Sequence, residues 1–405
     1  MTIDPGTGNP RPSLTPPAFP SAFAQPTAAV PASIPPATAV TGTVPVPSRR
    51  GRTAPIWAAG VLILLLIGLV GYFLNAIGPG ASIIGMVLSL IPLAGVLLAV
   101  RIVDKWEPEP RSLVIFAVAW GAIGAVGITL LVDLALTLVL GRQDSELALV
   151  FQVVVQAPIV EEIAKGIGVL LIFLTARRAF DGPVDGVVYG ALVGAGFAFT
   201  ENIQYFAISF IEGGAADVTT TFFVRGILSP FAHAMFTAVT GFALGLAARR
   251  GAKAGNGFGP FLIGLAGAIA LHALWNGSAV LGDFFAMYLM LQIPLFLLFI
   301  GGVIALRREE ARLTRARLGD YAAAGWFTPQ EADMLATGAG RKAAMQWAAT
   351  LRGDRRALMK EFITDATALA AARQRALSGR DPSAAEDEHV LLTRTATARA
   401  ALFAP

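Results

Sequence analysis

The sequence predicts an all-α protein built for a lipid bilayer. It reads as a polytopic membrane helix bundle of about eight transmembrane helices, with a disordered proline-rich tail before it and a small cytoplasmic helical region after it. Three observations carry this expectation. Of 405 residues, 55% are hydrophobic and 14% charged, where soluble domains carry roughly 25% charged residues. Mean hydropathy is +0.66. The apolar residues also come in blocks long enough to cross a ~30 Å hydrocarbon core as helix, with none of the short alternating segments that a membrane barrel needs.

The elements follow in order. Residues 1–54 hold 12 of the 25 prolines, mixed with Ala, Thr, Ser and Gly. Such a segment buries too little apolar surface to offset its ordering entropy, so disorder is expected. It lacks the basic start and short apolar core of a secretory signal. Eight apolar spans are expected within 55–306, at 55–77, 82–103, 112–140, 148–176, 184–211, 226–248, 259–281 and 284–306. Interior glycines such as Gly190, Gly194, Gly196, Gly264 and Gly267 suit close helix packing in lipid.

Basic residues alternate between loops. Thirteen lie on one side: Arg49, Arg50, Arg52, Arg101, Lys105, Arg111, Arg177, Arg178, Arg249, Arg250, Lys253, Arg307 and Arg308. The opposite side carries Arg142 and Arg225. The positive-inside rule then puts both termini in the cytoplasm, with the chain in the cell membrane. Residues 307–405 are polar and rich in Ala and Arg. Thr328-Pro329-Gln330-Glu331 reads as a helix start with a capping box. Apolar positions Met334, Leu335, Met345, Leu351, Leu358 and Phe362 recur at helical spacing, and the charges of this region are expected to form a solvated face.

Composition excludes several classes. With no cysteine in the chain, disulfides, thiolate zinc sites and a cysteine nucleophile are ruled out. The formal charge is only +4, and the basic residues sit beside apolar blocks, which suits membrane orientation and not nucleic acid.

Ionisable residues inside spans are costly and tend to be functional. Span 4 carries Glu161-Glu162-Ile163-Ala164-Lys165. The i,i+4 and i,i+3 steps let one lysine reach either carboxylate. Span 5 adds Glu201-Asn202, span 6 adds His233, and span 7 adds His272 with Asn276 one turn on. Counted from the outer ends, Glu161 lies roughly 20 Å deep, Glu201 and His272 roughly 15 Å, and His233 roughly 10 Å. Groups from four helices therefore share one layer. Asp133 in span 3 lies at similar depth without a motif around it and reads as structural.

These residues permit two schemes of peptide hydrolysis. A carboxylate in an apolar site can take a proton from water, with histidines and Asn276 stabilising an oxyanion. Alternatively, Glu161, Glu201, His233 and His272 are the candidates to hold a divalent metal such as zinc, whose bound water becomes the nucleophile. Spacing alone does not choose between them. No His-Glu-x-x-His pair occurs. Gly282-Asp283 follows Val280-Leu281, and Ser278 follows Asn276-Gly277, so neither a Gly-x-Gly-Asp nor a Gly-x-Ser-Gly signature is present.

Taken in order, Glu161-Glu162-x-x-Lys165, Phe197-x-x-x-Glu201-Asn202, His233, and His272 before Trp275-Asn276 resemble the PrsW family of intramembrane proteases. Arg225, eight residues before His233, fits the same pattern, as does the loop Trp106-Glu107-Pro108-Glu109-Pro110. The resemblance covers about residues 80–305. It implies a multi-pass protease distantly related to CAAX-processing and bacteriocin-immunity membrane proteases, acting on membrane-anchored proteins such as anti-sigma factors. Glu161 and Glu162 would activate water, directly or through a metal, and Glu201, His233 and His272 would complete the site, with Lys165, Asn202 and Asn276 supporting it. The implied partners are a membrane-anchored protein substrate and the bilayer. Two rivals keep the same residues in view: a proton-coupled transporter using the Glu/His layer as a relay, which predicts internal repeats that are not evident, and a silent scaffold acting through its tails.

Overall fold

A computed structural model describes residues 53–105, 107–141, 145–252, 254–280 and 283–403. The expected N-terminal tail lies outside the described residues, save Thr53 and Ala54, which open the first helix. Contacts divide the chain into two compact units, Ala54–Arg307 and a second that includes Arg308–Pro405.

The first unit is helical throughout. Helix α1 (Thr53–Tyr72) ends in a π turn, and Gly78 (φ 99°) breaks the chain before α2 (Pro79–Val103). Helices α3 (Arg111–Ala119) and α4 (Val126–Leu140) are joined by a π segment, Trp120–Ala125. Helices α5 (Glu146–Phe151) and α6 (Ala157–Thr175) flank a second one, Gln152–Gln156. Helix α7 (Pro183–Phe222) is interrupted at Gly214 (φ 65°, ψ −144°), a conformation open to glycine alone. A third π segment, Phe223–Leu228, leads to α8 (Ala232–Arg249). Then come α9 (Phe258–Val280), the short α10 (Phe284–Met287) and α11 (Ile293–Ala323), whose last residues belong to the second unit.

Among the described residues, six helical segments are long and apolar enough to cross a membrane. One of them, Pro183–Arg249, contains both α7 and α8. The expected span at 148–176 is helical, and Glu161, Glu162 and Lys165 are the charges that set it apart in composition. The span expected from 226 becomes α-helical only at Ala232, because Pro230 has no N–H to continue a helix through the turn before it. Much of the unit's outer surface is apolar: Ile63, Leu64, Val87, Leu98, Leu138, Leu147, Ile263 and Leu298 are all exposed. Such a surface belongs in hydrocarbon, not water.

Helix α7 is the buried centre. It packs against α2, α3, α6 and α8, and glycines permit the approach. A Cβ at Gly186 would lie 2.0 Å from the Gly241 carbonyl oxygen, at Gly190 2.6 Å from that of Thr237, and at Gly194 2.3 Å from that of His233. The pairing is antiparallel, and backbone touches backbone along it. On another face, Gly196 meets the Val118 carbonyl in the same way. Without a hydrophobic drive between helices in lipid, this close van der Waals contact is what holds them together.

The second unit comprises the end of α11 with α12 (Pro329–Ala336), α13 (Gly338–Thr350), α14 (Arg356–Ser378) and α15 (Ala384–Leu402). The capping box at the start of α12 forms as expected. Thr328 Oγ1 accepts from the Glu331 amide at 3.1 Å, and Glu331 Oε2 accepts from the Thr328 amide at 2.7 Å. Leu335 and Phe362 sit in a core with Leu318, Tyr321, Met359 and Leu369. Arg312, Arg315, Asp333 and Arg356 lie on an exposed face, while other charges of the unit are buried. Arg373 and Tyr321 both donate to buried Glu388, and Arg399 donates to buried Glu331. Alanine-rich helices leave space between their axes that long arginine stems fill, and each buried charge then takes an opposite partner.

Candidate active site

The layer expected from the sequence assembles on α6, α7, α8 and α9. Glu161 and Glu162 are neighbours on α6, so their side chains diverge by about 100° around the helix. Glu162 turns fully inward. Its Oε1 accepts from Lys165 Nζ at 2.7 Å and from His272 Nδ1 at 3.0 Å, and its Oε2 accepts from Thr237 Oγ1 at 3.0 Å. Glu161 faces a cavity of about 210 Å³, which Glu201, Arg225, His233, His272 and Asn276 also line. Its Oε2 accepts from Lys165 Nζ at 3.2 Å and stands 4.0 Å from both His233 Nδ1 and His272 Nε2.

Chemistry settles the tautomers. An ammonium only donates, so His233 Nδ1, 3.0 Å from Lys165 Nζ, accepts. His233 Nε2 therefore carries the proton and donates to Glu201 Oε2 at 2.9 Å. A carboxylate that already takes bonds from a lysine and a threonine accepts from His272 Nδ1–H, leaving the lone pair of His272 Nε2 on the side of Glu161. Phe236 stacks on the His272 ring at 4.6 Å and Trp275 meets Phe236 edge-on, fixing the ring plane. Lys165 Nζ lies 4.0 Å over the Phe197 ring, a contact that eases burial of the cation.

The supporting residues have distinct places. Asn202 Oδ1 accepts from Arg225 Nε at 2.8 Å, while Arg225 also pairs with Glu201 and stacks 3.8 Å over Tyr205. Asn276 Nδ2 donates to the Val153 carbonyl at 3.0 Å, inside the π segment that precedes α6. Asp133 stands apart from the site and accepts from Gln156 Nε2 at 3.1 Å, a structural pair. In the Trp106–Pro110 loop, Trp106 lies outside the described residues. Glu109 is buried, accepts from Tyr189 Oη and donates its amide to Asp104 Oδ2 at 2.8 Å.

Sequence reasoning missed Thr237 and the depth of Arg225's involvement. Thr237 is four residues after His233 and so shares its helix face, which was a usable signal. Arg225 is one of two basic residues in loops otherwise free of them.

Residues 109–299 match the model of the PrsW family intramembrane metalloproteases. The match covers a little under half of the chain. Among curated relatives, Protease PrsW of Geobacillus kaustophilus (strain HTA426) is 30% identical over 144 residues, 36% of this chain and 58% of the relative. Protease PrsW of Bacillus subtilis (strain 168) is 38% identical over 79 residues, 20% of this chain and 33% of the relative. The chain thus spans a little over half of the first relative and a third of the second. No solved structure matches it.

The description of the PrsW family as metalloproteases raises the question of fit. Glu161, His233 and His272 each offer one ligand atom, and these atoms lie within 4.8 Å of one another. Two imidazoles and a carboxylate are a donor set used by catalytic zinc. Glu162 on His272 and Glu201 on His233 are the carboxylate partners that metal-binding histidines usually have. The residues fit a divalent cation in type and spacing.

Proposed function

We propose that this protein is an intramembrane endopeptidase that hydrolyses membrane-anchored proteins at a site between mid-membrane and the outer face. One observation carries the reading: the cavity brings Glu161 of α6 and the lone pair of His272 Nε2 of α9 together within the apolar helical unit. A neutral His272 whose N–H is committed to Glu162 offers an acceptor and not a donor. That arrangement suits a cation better than an oxyanion.

Zinc is the cation the donor set favours, held by Glu161, His233 and His272. When bound, it would act as a Lewis acid on water and the scissile carbonyl. The chain's own groups account for the rest. Glu161 has a second carboxylate oxygen, Oε1, besides the Oε2 that faces the two histidines, so it can hold the proton that water gives up as its oxygen bonds to the carbonyl carbon. The same proton then passes to the amide nitrogen as the C–N bond breaks. Glu162, closed off by three hydrogen bonds, positions His272 and balances Lys165 without meeting substrate. Glu201 fixes His233 in the same way. The distribution of basic residues supports cytoplasmic termini, and the depth of the site then favours cleavage toward the outer side. The family resemblance supports an anti-sigma-factor-like protein as substrate.

A reporter with a single transmembrane helix, co-reconstituted in liposomes, tests this. Glu161→Gln should lower cleavage by about 10²-fold or more, the contribution of a positioned acid–base group. Glu162→Gln should leave a weakened but measurable rate. Full activity in Glu161→Gln would overturn the assignment, and a proton flux in liposomes lacking any reporter would favour a carrier.

A further inference from the structure

Lys165 occupies the place that a cation would need. Its Nζ lies 3.2 Å from Glu161 Oε2 and 3.0 Å from His233 Nδ1, atoms of two of the three candidate ligand residues. The third contact, 2.7 Å to Glu162 Oε1, uses the last of the three ammonium protons. The group is fully buried and saturated with acceptors.

We infer that Lys165 is a built-in competitor for the cation, so that the site alternates between a lysine-held and a cation-held state. The inference rests on the reading that Glu161, His233 and His272 take a divalent ion. The physical reason is simple. His233 Nδ1 has one lone pair, which cannot both accept from an ammonium and bind a cation. Two positive charges sharing Glu161 Oε2 would also repel in a low-dielectric interior. Loading therefore requires the ammonium to leave His233 and Glu161. It has somewhere to go, because Glu162 is its shortest contact and is not among the candidate ligands, and its flexible four-carbon stem allows the shift. In the unloaded state the lysine keeps Glu161 and His233 aligned, which spares the site an uncompensated carboxylate pair in the membrane.

Competition has a directional signature. Removing the ammonium should tighten cation binding, the opposite of what loss of a merely structural residue would do. The experiment is zinc binding to the purified full-length chain in detergent, by equilibrium dialysis, for wild type, Lys165→Gln and Lys165→Met. Both variants should bind one zinc on the order of tenfold more tightly than wild type, the lower end of what groups around metal ligands contribute. Equal or weaker binding by variants that elute as wild type would overturn the inference.

A measurement on the wild-type chain guards against variants that fail to fold. There are three histidines, so histidine-selective 15N labelling resolves each ring, with His389 as an internal reference on α15. Zinc should move Nδ1 of His233 and Nε2 of His272 and leave His389 unchanged. Movement at Nε2 of His233 with Nδ1 unaltered would overturn the inference, as would the absence of zinc binding in every form. The cleavage assay of the preceding section judges the protease reading separately, since a metal-free chain that still cuts the reporter would sink this inference alone.

Discussion

Replacing Gly194 by alanine tests whether the backbone contact between α7 and α8 sets the geometry of the site. A Cβ at Gly194 would lie 2.3 Å from the carbonyl oxygen of His233, 2.6 Å from its carbon and 2.8 Å from the Ala234 Cα, where ordinary contact begins at 3.4 Å. All three atoms are backbone, so no side chain can rotate away, and the two helices must part by roughly 1 Å. His233 would carry that shift into its 3.0 Å contact with Lys165 and its 2.9 Å bond to Glu201. Overpacking of this kind costs about 1–3 kcal/mol, and a ~1 Å misplacement at a reacting centre can cost about 10²-fold in rate. Reporter cleavage in liposomes and thermal unfolding in detergent read the two effects. Gly95→Ala is the control, since nothing lies within 4 Å of a Cβ there. Wild-type cleavage and stability in Gly194→Ala would show that the helices are not held in register by this contact.

Three further outcomes are expected. Trp120 Nε1 donates to the Ala164 carbonyl at 2.9 Å and its indole covers Gly168. Trp120→Phe should therefore lower stability by about 1 kcal/mol, the usual scale for a lost hydrogen bond, and an unchanged unfolding temperature would discount that tether. Thr328→Ala removes the cap of α12 and should destabilise the C-terminal unit by about 1 kcal/mol, visible as a lowered unfolding temperature of the full chain. Glu109, outside the spans, is pushed well above the ordinary carboxylate range, chiefly by burial, with the negative charges of Asp104, Glu107 and Asp181 adding to the effect. Its proton is favoured in the folded state, so the associated stability is present at low pH and declines as pH rises through the raised value. Unfolding temperatures across pH should show that decline in wild type and lose it in Glu109→Gln; identical profiles would argue that Glu109 is charged in both states.

What could be read in the chain and what could not divide along physical lines. Hydrocarbon is a uniform solvent, so the length and polarity of a span are local properties, and the membrane helices were legible from residues alone. The same holds for the α12 capping box, a contact between residues three apart. The candidate site was legible in its membership, because a charge in an apolar span stands out wherever its partners are. Its wiring was not. Glu161 and Glu162 are chemically identical neighbours, and only the arrival of Thr237 from α8 and His272 from α9 closes off one and leaves the other to the cavity.

The buried ion pairs of the C-terminal unit were hidden for a related reason. Arg399 and Glu331 lie far apart in sequence, and nothing local distinguishes them from Arg394 and Asp333, exposed charges of the same helices. The sequence by itself determined the solvent, the helices and the ionisable residues set within them, since those follow from composition and short-range spacing. The tertiary structure decided which carboxylate meets the cavity, which nitrogen of His233 and of His272 faces Glu161 and where Lys165 sits, because each depends on contacts between helices that are distant in sequence.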